Sequence, residues 1–563
     1  MIRQLWSVIP KGFRCGTIGV VVTIFLRAVL NFVGVATLLP VLLLVVDGGS
    51  LDPTNYLYDV YKSLNCNTYA QFVIVVCVAV VVVIIIKNII NLLLYRYERD
   101  YIFNLYKHLS EQLYRTYFGR GFSFIKQSNT ATLTRNINGV SLTFVAGVLK
   151  PLASIVSEGI LLLLITAMLA LFYPFAALIV CVIFAPIAIL FYMFMRKRLH
   201  DIGEEENDLQ RRKNRIVAET FRGYVDIEMA GAFDHILKRF SHAMDDIVAL
   251  RKRHATLAMQ PQLFSEVGLT VGLVVLVTIA TLYGNHDVVL LFGVFAISAV
   301  RLVPSLRSIM ASWSSIRFNR YTIDILCDVE TIEDESSSTV EGVVFNRTIE
   351  LRNVSFRYDD SEDMVIDNIS LVINRGECIG IRGNSGVGKT TLFNIMLGLH
   401  SPTSGGVYID DEILGVHNIK SWHSQVGYVS QSVFIADVSL AENIALGVDR
   451  GDIDYSRIQE ILKLVNLDDF VASLPNGLES RIGEQGCRIS GGQRQRIGIA
   501  RALYKGADTL FFDEATSSLD SKTEESINEA IRLLATNNRK LTIVIIAHRE
   551  SSLECCNRII TME

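Results

Sequence analysis

Apolar residues are spread unevenly along this 563-residue chain: long charge-poor runs fill 15–310, whereas 345–563 carry the mixed pattern of a soluble α/β domain. A membrane span needs about 20 mostly apolar residues. Six runs meet that length, at about 15–46, 70–95, 140–172, 174–195, 262–284 and 287–311. Several exceed the bilayer thickness, which predicts helices that continue past the membrane. The second and third runs, and the fourth and fifth, are linked by charged, helix-compatible stretches. Each stretch predicts two span helices extended inward and joined at a tip, within 118–133 and 222–234. Such a tip either meets the soluble domain or is a solvated loop; a path for force between the domains favours the first.

Charge sets the orientation. Arg96, Arg99, Lys107, Arg115, Arg120, Lys126 and Arg135 follow the second run, and the stretch from Arg196 to Arg253 is denser still. The other connections hold little beyond Lys62. Basic loops stay inside, so both termini and the soluble domain are expected in the cytoplasm of a cell whose cytoplasmic (inner) membrane holds the chain. The first apolar run is longer than a leader's h-region and predicts a retained span rather than a cleaved signal. In the outer connection 47–65, Pro53 suits a helix start. Tyr56, Val60 and Leu64 then fall on one face, giving either an amphipathic helix at the outer surface or a loop helix packed on the protein. An acidic, Ser-rich stretch near 330–345 reads as a linker. The expected domains are therefore 1–325 (transmembrane), 326–346 (linker) and 347–563 (soluble).

Composition adds two limits. A net charge of −4 gives no reason to expect nucleic acid. Half the residues are hydrophobic, with a mean hydropathy of +0.37. Nine cysteines (Cys15, Cys66, Cys77, Cys181, Cys327, Cys378, Cys487, Cys555 and Cys556) are scattered without a CxxC pair, so they are expected as small hydrophobes in a reducing compartment.

The soluble domain carries phosphate chemistry. A short apolar strand at 377–382 runs into Gly383, Asn384, Ser385, Gly386, Val387, Gly388, Lys389 and Thr390, a complete G-x-x-x-x-G-K-[ST] loop. Its glycines let backbone N–H groups curl round phosphate oxygens. The helix from Thr391 aims its positive end at the anion. Lys389 is placed for the β- and γ-phosphates of ATP, and the Thr390 hydroxyl for Mg²⁺. A second strand, 509–514, ends in Asp513, suited to Mg²⁺, and Glu514, suited to polarising the attacking water.

Between these lies Ile489-Ser490-Gly491-Gly492-Gln493, where the chain resembles the ATP-binding-cassette transporters. The family pattern has Leu where this chain has Ile489. The resemblance implies an α-helical six-span transmembrane domain plus an α/β P-loop cassette of the exporter type (type IV), with ATP and Mg²⁺ as its cofactors. It also implies residue roles. Tyr358 stacks on adenine, and Gln431 senses Mg²⁺ and the attacking water. Ser490–Gln493 and Asp520 reach across to ATP on a second copy. His548 is a switch near the γ-phosphate, and Glu484 contacts the cytoplasmic tips. Family cassettes usually run some tens of residues past 563; the stretch lies outside the motif set. Six spans with one cassette is a half-transporter, so a homodimer is expected, with a heterodimer as the alternative.

Lys87, Arg301, Arg307 and Arg27 lie within apolar runs, as do Asn31, Glu158 and Glu266, and intramembrane ionisable groups point to function. The cations line a cavity for an anionic group, or they snorkel to the interface, or they pair with Glu158 and Glu266. The 47–65 segment, Arg301 to Pro304 and Lys87 resemble features of flippases for lipid-linked oligosaccharides. That resemblance implies a pyrophosphate-bearing lipid-linked sugar as cargo and membrane lipid as a partner. A lipid or hydrophobic-drug exporter of the same fold is the alternative. A peptide exporter fits less well, since no protease domain precedes the first run, and an ATP-gated channel or regulator that does not pump is the reading from another class.

Overall fold

The computed structural model describes residues 2–38, 40, 41, 44, 61, 62, 68–172, 174–283, 288–330, 342–358, 361–483, 489–514, 521–537, 540–547 and 549–563. The chain divides into two compact units: Met1–Arg120 with Phe124–Asp334, and Gly121–Ser123 with Glu335–Glu563.

Among the described residues, six long helices build the first unit: α1 (Arg14–Ala36), α2 (Tyr69–Gly119), α3 (Thr130–Phe172), α4 (Pro174–Arg222), α5 (Phe233–Tyr283) and α6 (Val288–Phe318). The helices starting at Tyr69 and Phe233 run 51 residues each. At about 1.5 Å per residue they exceed any bilayer, as the long periodic segments predict. Among the described residues, α1, α2 and α3 are each long and apolar enough to cross a membrane, and α4 joins them if its bent halves count as one span. The fifth and sixth expected spans meet at 284–287, outside the described residues. The outer segment 47–60 and the linker at 331–341 also lie outside the described residues.

The outward face of α2 shows what such a helix is built for. Ile74, Val78, Val81, Ile85, Ile89 and Leu93 are all exposed, an apolar surface that water does not tolerate but acyl chains do. Inside the unit, Leu161 and Ile165 of α3 pack with Phe184 and Phe191 of α4 and Leu302 and Leu306 of α6. Small residues let α1 approach α2. A Cβ at Gly19 would meet the Tyr97 hydroxyl at 2.6 Å, and one at Gly34 would meet Lys87 Cδ at 3.0 Å and Nζ at 3.1 Å. Two π-helical turns, Asn136–Val140 and Val145–Leu149, interrupt α3.

The second unit holds two sheets. One is antiparallel in the order β2-β1-β4-β5, from Thr348–Phe356 (β1), Ile366–Asn374 (β2), Ser404–Ile409 (β4) and Glu412–Ile413 (β5). The other is parallel in the order β6-β7-β8-β3-β9, from Cys378–Gly383 (β3), Val426–Val429 (β6), Thr509–Asp513 (β7), Thr542–Ile546 (β8) and Arg558–Met562 (β9). β7 and β8 are buried at every position, which is how strands covered on both faces read. The helices that bear on the site are α7 (Lys389–Met396), α8 (Gly491–Lys505) and α9 (Ser521–Asn537). Two core clusters meet at the parallel sheet, since β7 sends Phe511 into one and Leu510 and Phe512 into the other.

Candidate functional site

The site forms where the central strands of the parallel sheet end. Ligands in open α/β sheets bind at the carboxyl ends of strands, and here β3 and β7 stop at the phosphate loop and the acidic pair. Gly386 and Gly388 have φ of +89° and +98°. A Cβ at 386 would project into open space, whereas one at 388 would strike the Val365 carbonyl at 2.9 Å. The loop is thus held open on one side and pressed against β2 on the other. Asn384, Ser385 and Val387 complete its circuit, and a Cβ at Gly383 would lie 3.0 Å from Val387 Cγ1. Gly388 caps α7, whose first turn begins with Lys389, Thr390 and Thr391.

Lys389 is buried, and its ammonium donates to Gly383 O at 2.8 Å and Asn384 O at 3.0 Å. This fixes a positive charge over the loop that the glycines curve around. The Thr390 hydroxyl donates to Asp513 Oδ1 at 3.3 Å, and the Tyr428 hydroxyl donates to Oδ2 at 3.2 Å. Burial pushes the Asp513 carboxyl above the usual carboxylate range; the bonds from Tyr428 and Thr390 work against it, and the Glu514 charge adds to it. Burial and the Asp513 charge push the Tyr428 phenol up in turn. The linkage sign follows from the raised carboxyl. Asp513 favours folding most at low pH, and that contribution is lost as pH rises through its folded-state pKa. Thr390 Oγ1 and the Asp513 carboxylate form the all-oxygen donor pair that suits Mg²⁺, so the residues present fit that ion.

Glu514 leaves β7 with a left-handed φ of +49° and donates its N–H to Ile546 O at 3.0 Å. Its carboxylate accepts from Gln431 Nε2 at 3.1 Å. Gln431 is held from behind by buried Gln495 of α8, whose Nε2 donates to Gln431 O at 2.7 Å. The Tyr358 hydroxyl bonds with Thr391 Oγ1 at 3.0 Å, and its ring stands edge-on to Phe356 and His400. Within the same unit Ser123 Oγ lies 2.9 Å from His400 Nδ1, and the Phe122 ring also packs on that histidine. Both residues come from the stretch 118–133 read as a tip.

Ser490 caps α8 with a capping box: its side chain accepts from Gln493 N, and Gln493 Oε1 accepts from Ser490 N at 2.8 Å. The N–H of Gln493 is therefore used by the cap, and the first-turn donors offered to an anion are those of Gly491 and Gly492. Ile489, the departure from the family pattern, is buried in the core. His548, Asp520 and Glu484 lie outside the described residues.

Sequence reading passed over Tyr428, Gln495 and His400. Tyr428 stands at the exposed position of a four-residue strand, too short for alternation to single it out. Gln495 had a signal: a lone amide on the buried face of α8 between Gly492 and Ile499. We expect Gln495→Leu to strand the Gln431 carbonyl, at a cost of about 1–3 kcal/mol. Thermal unfolding and phosphate release check this, the expected result being a lower midpoint and a several-fold slower turnover with ATP affinity kept.

In the first unit, Lys87 and Arg301 are close enough to interact electrostatically. Arg307 Nη2 approaches Ser265 Oγ at 3.4 Å, and its Nε is buried without a hydrogen-bond partner among the described residues. Arg27 does not stand free: it is ion-paired with buried Glu98 of α2 and lies over the Tyr95 ring. Glu158 accepts from Ser305 at 2.6 Å, and Asn91 donates to Asn31 at 3.1 Å. Pairing thus does account for one cation, but its acid is Glu98 rather than Glu158 or Glu266.

Residues 366–517 match the family model described as ABC transporter. A protein named ATP-dependent lipid A-core flippase from Polaromonas sp. is 31% identical over 389 residues, which cover 69% of this chain and 65% of that relative. One of the same name from Burkholderia orbicola is 30% identical over 374 residues, covering 66% and 62%. The matched stretch thus spans a little under two thirds of these relatives' own lengths. The solved structure of a bacterial Atm1-family ABC exporter with ATP bound superposes with a TM-score of 0.81 at 20% identity, over 98% of this chain and 94% of that one. That likeness establishes the fold.

Proposed function

Residues 366–517 are an ABC transporter domain on a chain of exporter fold, and from that premise we propose that the chain is half of an ATP-driven flippase, completed by a second copy of itself. The observation that carries the reading is the Gln431–Glu514 hydrogen bond beside the Thr390–Asp513 pair. It sets a general base next to a ready oxygen-donor pair and a fixed ammonium.

In this reading Lys389 neutralises the β- and γ-phosphates of ATP, while the loop N–H groups hold them in place. Thr390 and Asp513 hold Mg²⁺, which supplies charge neutralisation at the phosphate oxygens when bound. Gln431 orients Glu514, and Glu514 takes the proton of the attacking water. Tyr358 borders the adenine. Ser490, Gly491, Gly492 and Gln493, with Asp520 and His548, complete the site of the second copy, so that two cassettes close on two ATP molecules. Closure then drives the helical unit from inward to outward facing, with the cassette in the cytoplasm and the helices in the inner membrane. Phe122 and Ser123 against His400, itself against Tyr358, give that closure a short path out of the nucleotide edge.

For cargo we propose a lipid with an anionic, sugar-bearing head, of which a pyrophosphate-linked oligosaccharide is the sharpest form. The relatives named for lipid A-core support a lipid cargo. Lys87 beside Arg301, and the orphaned Nε of Arg307, support an anionic head. One finding favours the second reading, a general lipid or drug exporter: Glu98 neutralises Arg27, which lowers the cation count. The test is flipping in proteoliposomes with lipid-pyrophosphate sugars, lipid A-core and plain phospholipid side by side. Under the proposal, Lys87→Gln, Arg301→Gln and Arg307→Gln together cut flipping of the anionic lipids at least about tenfold, the equivalent of 1.4 kcal/mol, and leave basal ATP hydrolysis within about twofold. Unchanged flipping of lipid-linked sugar would defeat the anionic-cargo reading.

A further inference from the structure

Three of the nine cysteines scattered in the sequence meet in the fold. Cys378 opens β3, five residues before the phosphate loop begins at Gly383, and Cys555 and Cys556 lie in the turn before β9. Their sulfurs all lie within 4.8 Å of one another, and Cys378 Sγ is 3.8 Å from Cys556 Sγ. Four sulfurs about 2.3 Å from a tetrahedral ion stand roughly 3.8 Å apart, so this pair, joined by an S–H···S hydrogen bond, also stands at the spacing of sulfurs that share a metal. A disulfide, by contrast, requires about 2.05 Å.

The frame around the sulfurs is fixed. Asn557 N donates to Cys378 O at 2.7 Å, and Cys378 N donates to Asn557 Oδ1 at 2.9 Å. These bonds, with the parallel pairing of Ile379 and Arg558, lock the turn to the strand. Cys378 is buried, while Cys555 and Cys556 are half-buried, which leaves one side of the cluster reachable. Glu554, the nearby acid, is ion-paired with Arg532. Arg532 also acts electrostatically on Cys555.

We propose that Cys378, Cys555 and Cys556 form a three-thiolate site for a soft or borderline d¹⁰ dication of the Zn²⁺ or Cd²⁺ class, with the fourth position left to water or a small ligand. Binding exchanges three S–H protons, released to solvent, for three sulfur–metal bonds. The bound ion ties the strand that feeds the phosphate loop to the turn beside it, without touching the nucleotide.

The test uses the full chain in detergent, reduced and stripped of metal, titrated with Cd²⁺. The expected result is a tight site for one ion per chain, with a thiolate-to-metal charge-transfer band of three-sulfur intensity that Zn²⁺ competes away. Cys378→Ser and Cys556→Ser should each weaken binding at least about tenfold, since even an outer partner of a ligand is worth about 10–100-fold. Cys15→Ser should leave it unchanged. The wild-type titration decides even if a variant fails to fold. No band, a band unaltered by the triple Ser variant, or a Cys378–Cys556 disulfide formed in air by a protein that takes up no Cd²⁺ when reduced would each overturn the site.

Discussion

Glu514→Gln slows ATP hydrolysis by about 10²–10⁴-fold, the range that a positioned general base supplies, while ATP binding stays within a few-fold of the wild-type chain. Gln431 Nε2 donates to one carboxylate oxygen of Glu514 at 3.1 Å, and the amide oxygen of a glutamine accepts the same bond. Shape and loop position are therefore kept, and what is lost is the capacity to take a proton. Steady-state phosphate release beside nucleotide affinity separates the two effects. Turnover within about twofold of wild type would show that Glu514 is not the base. The same variant separates a pump from a gated regulator: flipping stops with hydrolysis in a pump, whereas in a regulator ATP binding alone carries the response.

Lys389→Ala acts one step earlier. The buried ammonium sits on Gly383 O and Asn384 O, at the centre of a loop whose other phosphate ligands are neutral N–H groups. Each hydrogen bond to a charged group is worth about 1.5–3 kcal/mol, so losing the cation raises the ATP dissociation constant by about 10²-fold or more and abolishes ATP-dependent flipping. Nucleotide titration reads the first effect and vesicle transport the second, with thermal unfolding as the control for folding. Retained flipping would remove the loop from the mechanism.

The phosphate loop was legible in the sequence because its chemistry is local. Eight consecutive residues carry the glycines, the cation and the hydroxyl, with a strand before and a helix after. The strand ending in Asp513 and Glu514 was legible for a similar reason: two acids rarely close a buried apolar run without a partner. What escaped was assembled at distance. Gln495 reaches Gln431 from 64 residues away, and Glu98 reaches Arg27 from 71. Neither separation leaves a trace in a periodic pattern, so pairing was looked for at Glu158 and Glu266 when the acid on Arg27 is Glu98. The cysteines show the same limit. Spacing along the chain separates Cys378 from Cys556 by 178 residues, and only the parallel pairing of β3 with β9 reveals that the two are neighbours. The tip residues Phe122 and Ser123 were placed correctly in a connecting segment, but their partner His400 was invisible, since a lone histidine carries no address.

The contact between Gly34 and Lys87 has a mechanical meaning. The stem of Lys87 lies 3.0–3.1 Å from where another residue at 34 would place its Cβ, so the missing side chain at Gly34 makes room for the lysine. A lysine stem is long and flexible and tends to carry its charged head toward water; here it runs against the bare backbone of Gly34. Under the proposed alternating access, a shift of α1 against α2 would change the room left to that stem, and with it the distance of the ammonium from Arg301. The contact thus couples helix packing to the placement of a charge, and Gly34→Ala would press on the Lys87 stem without removing the cation.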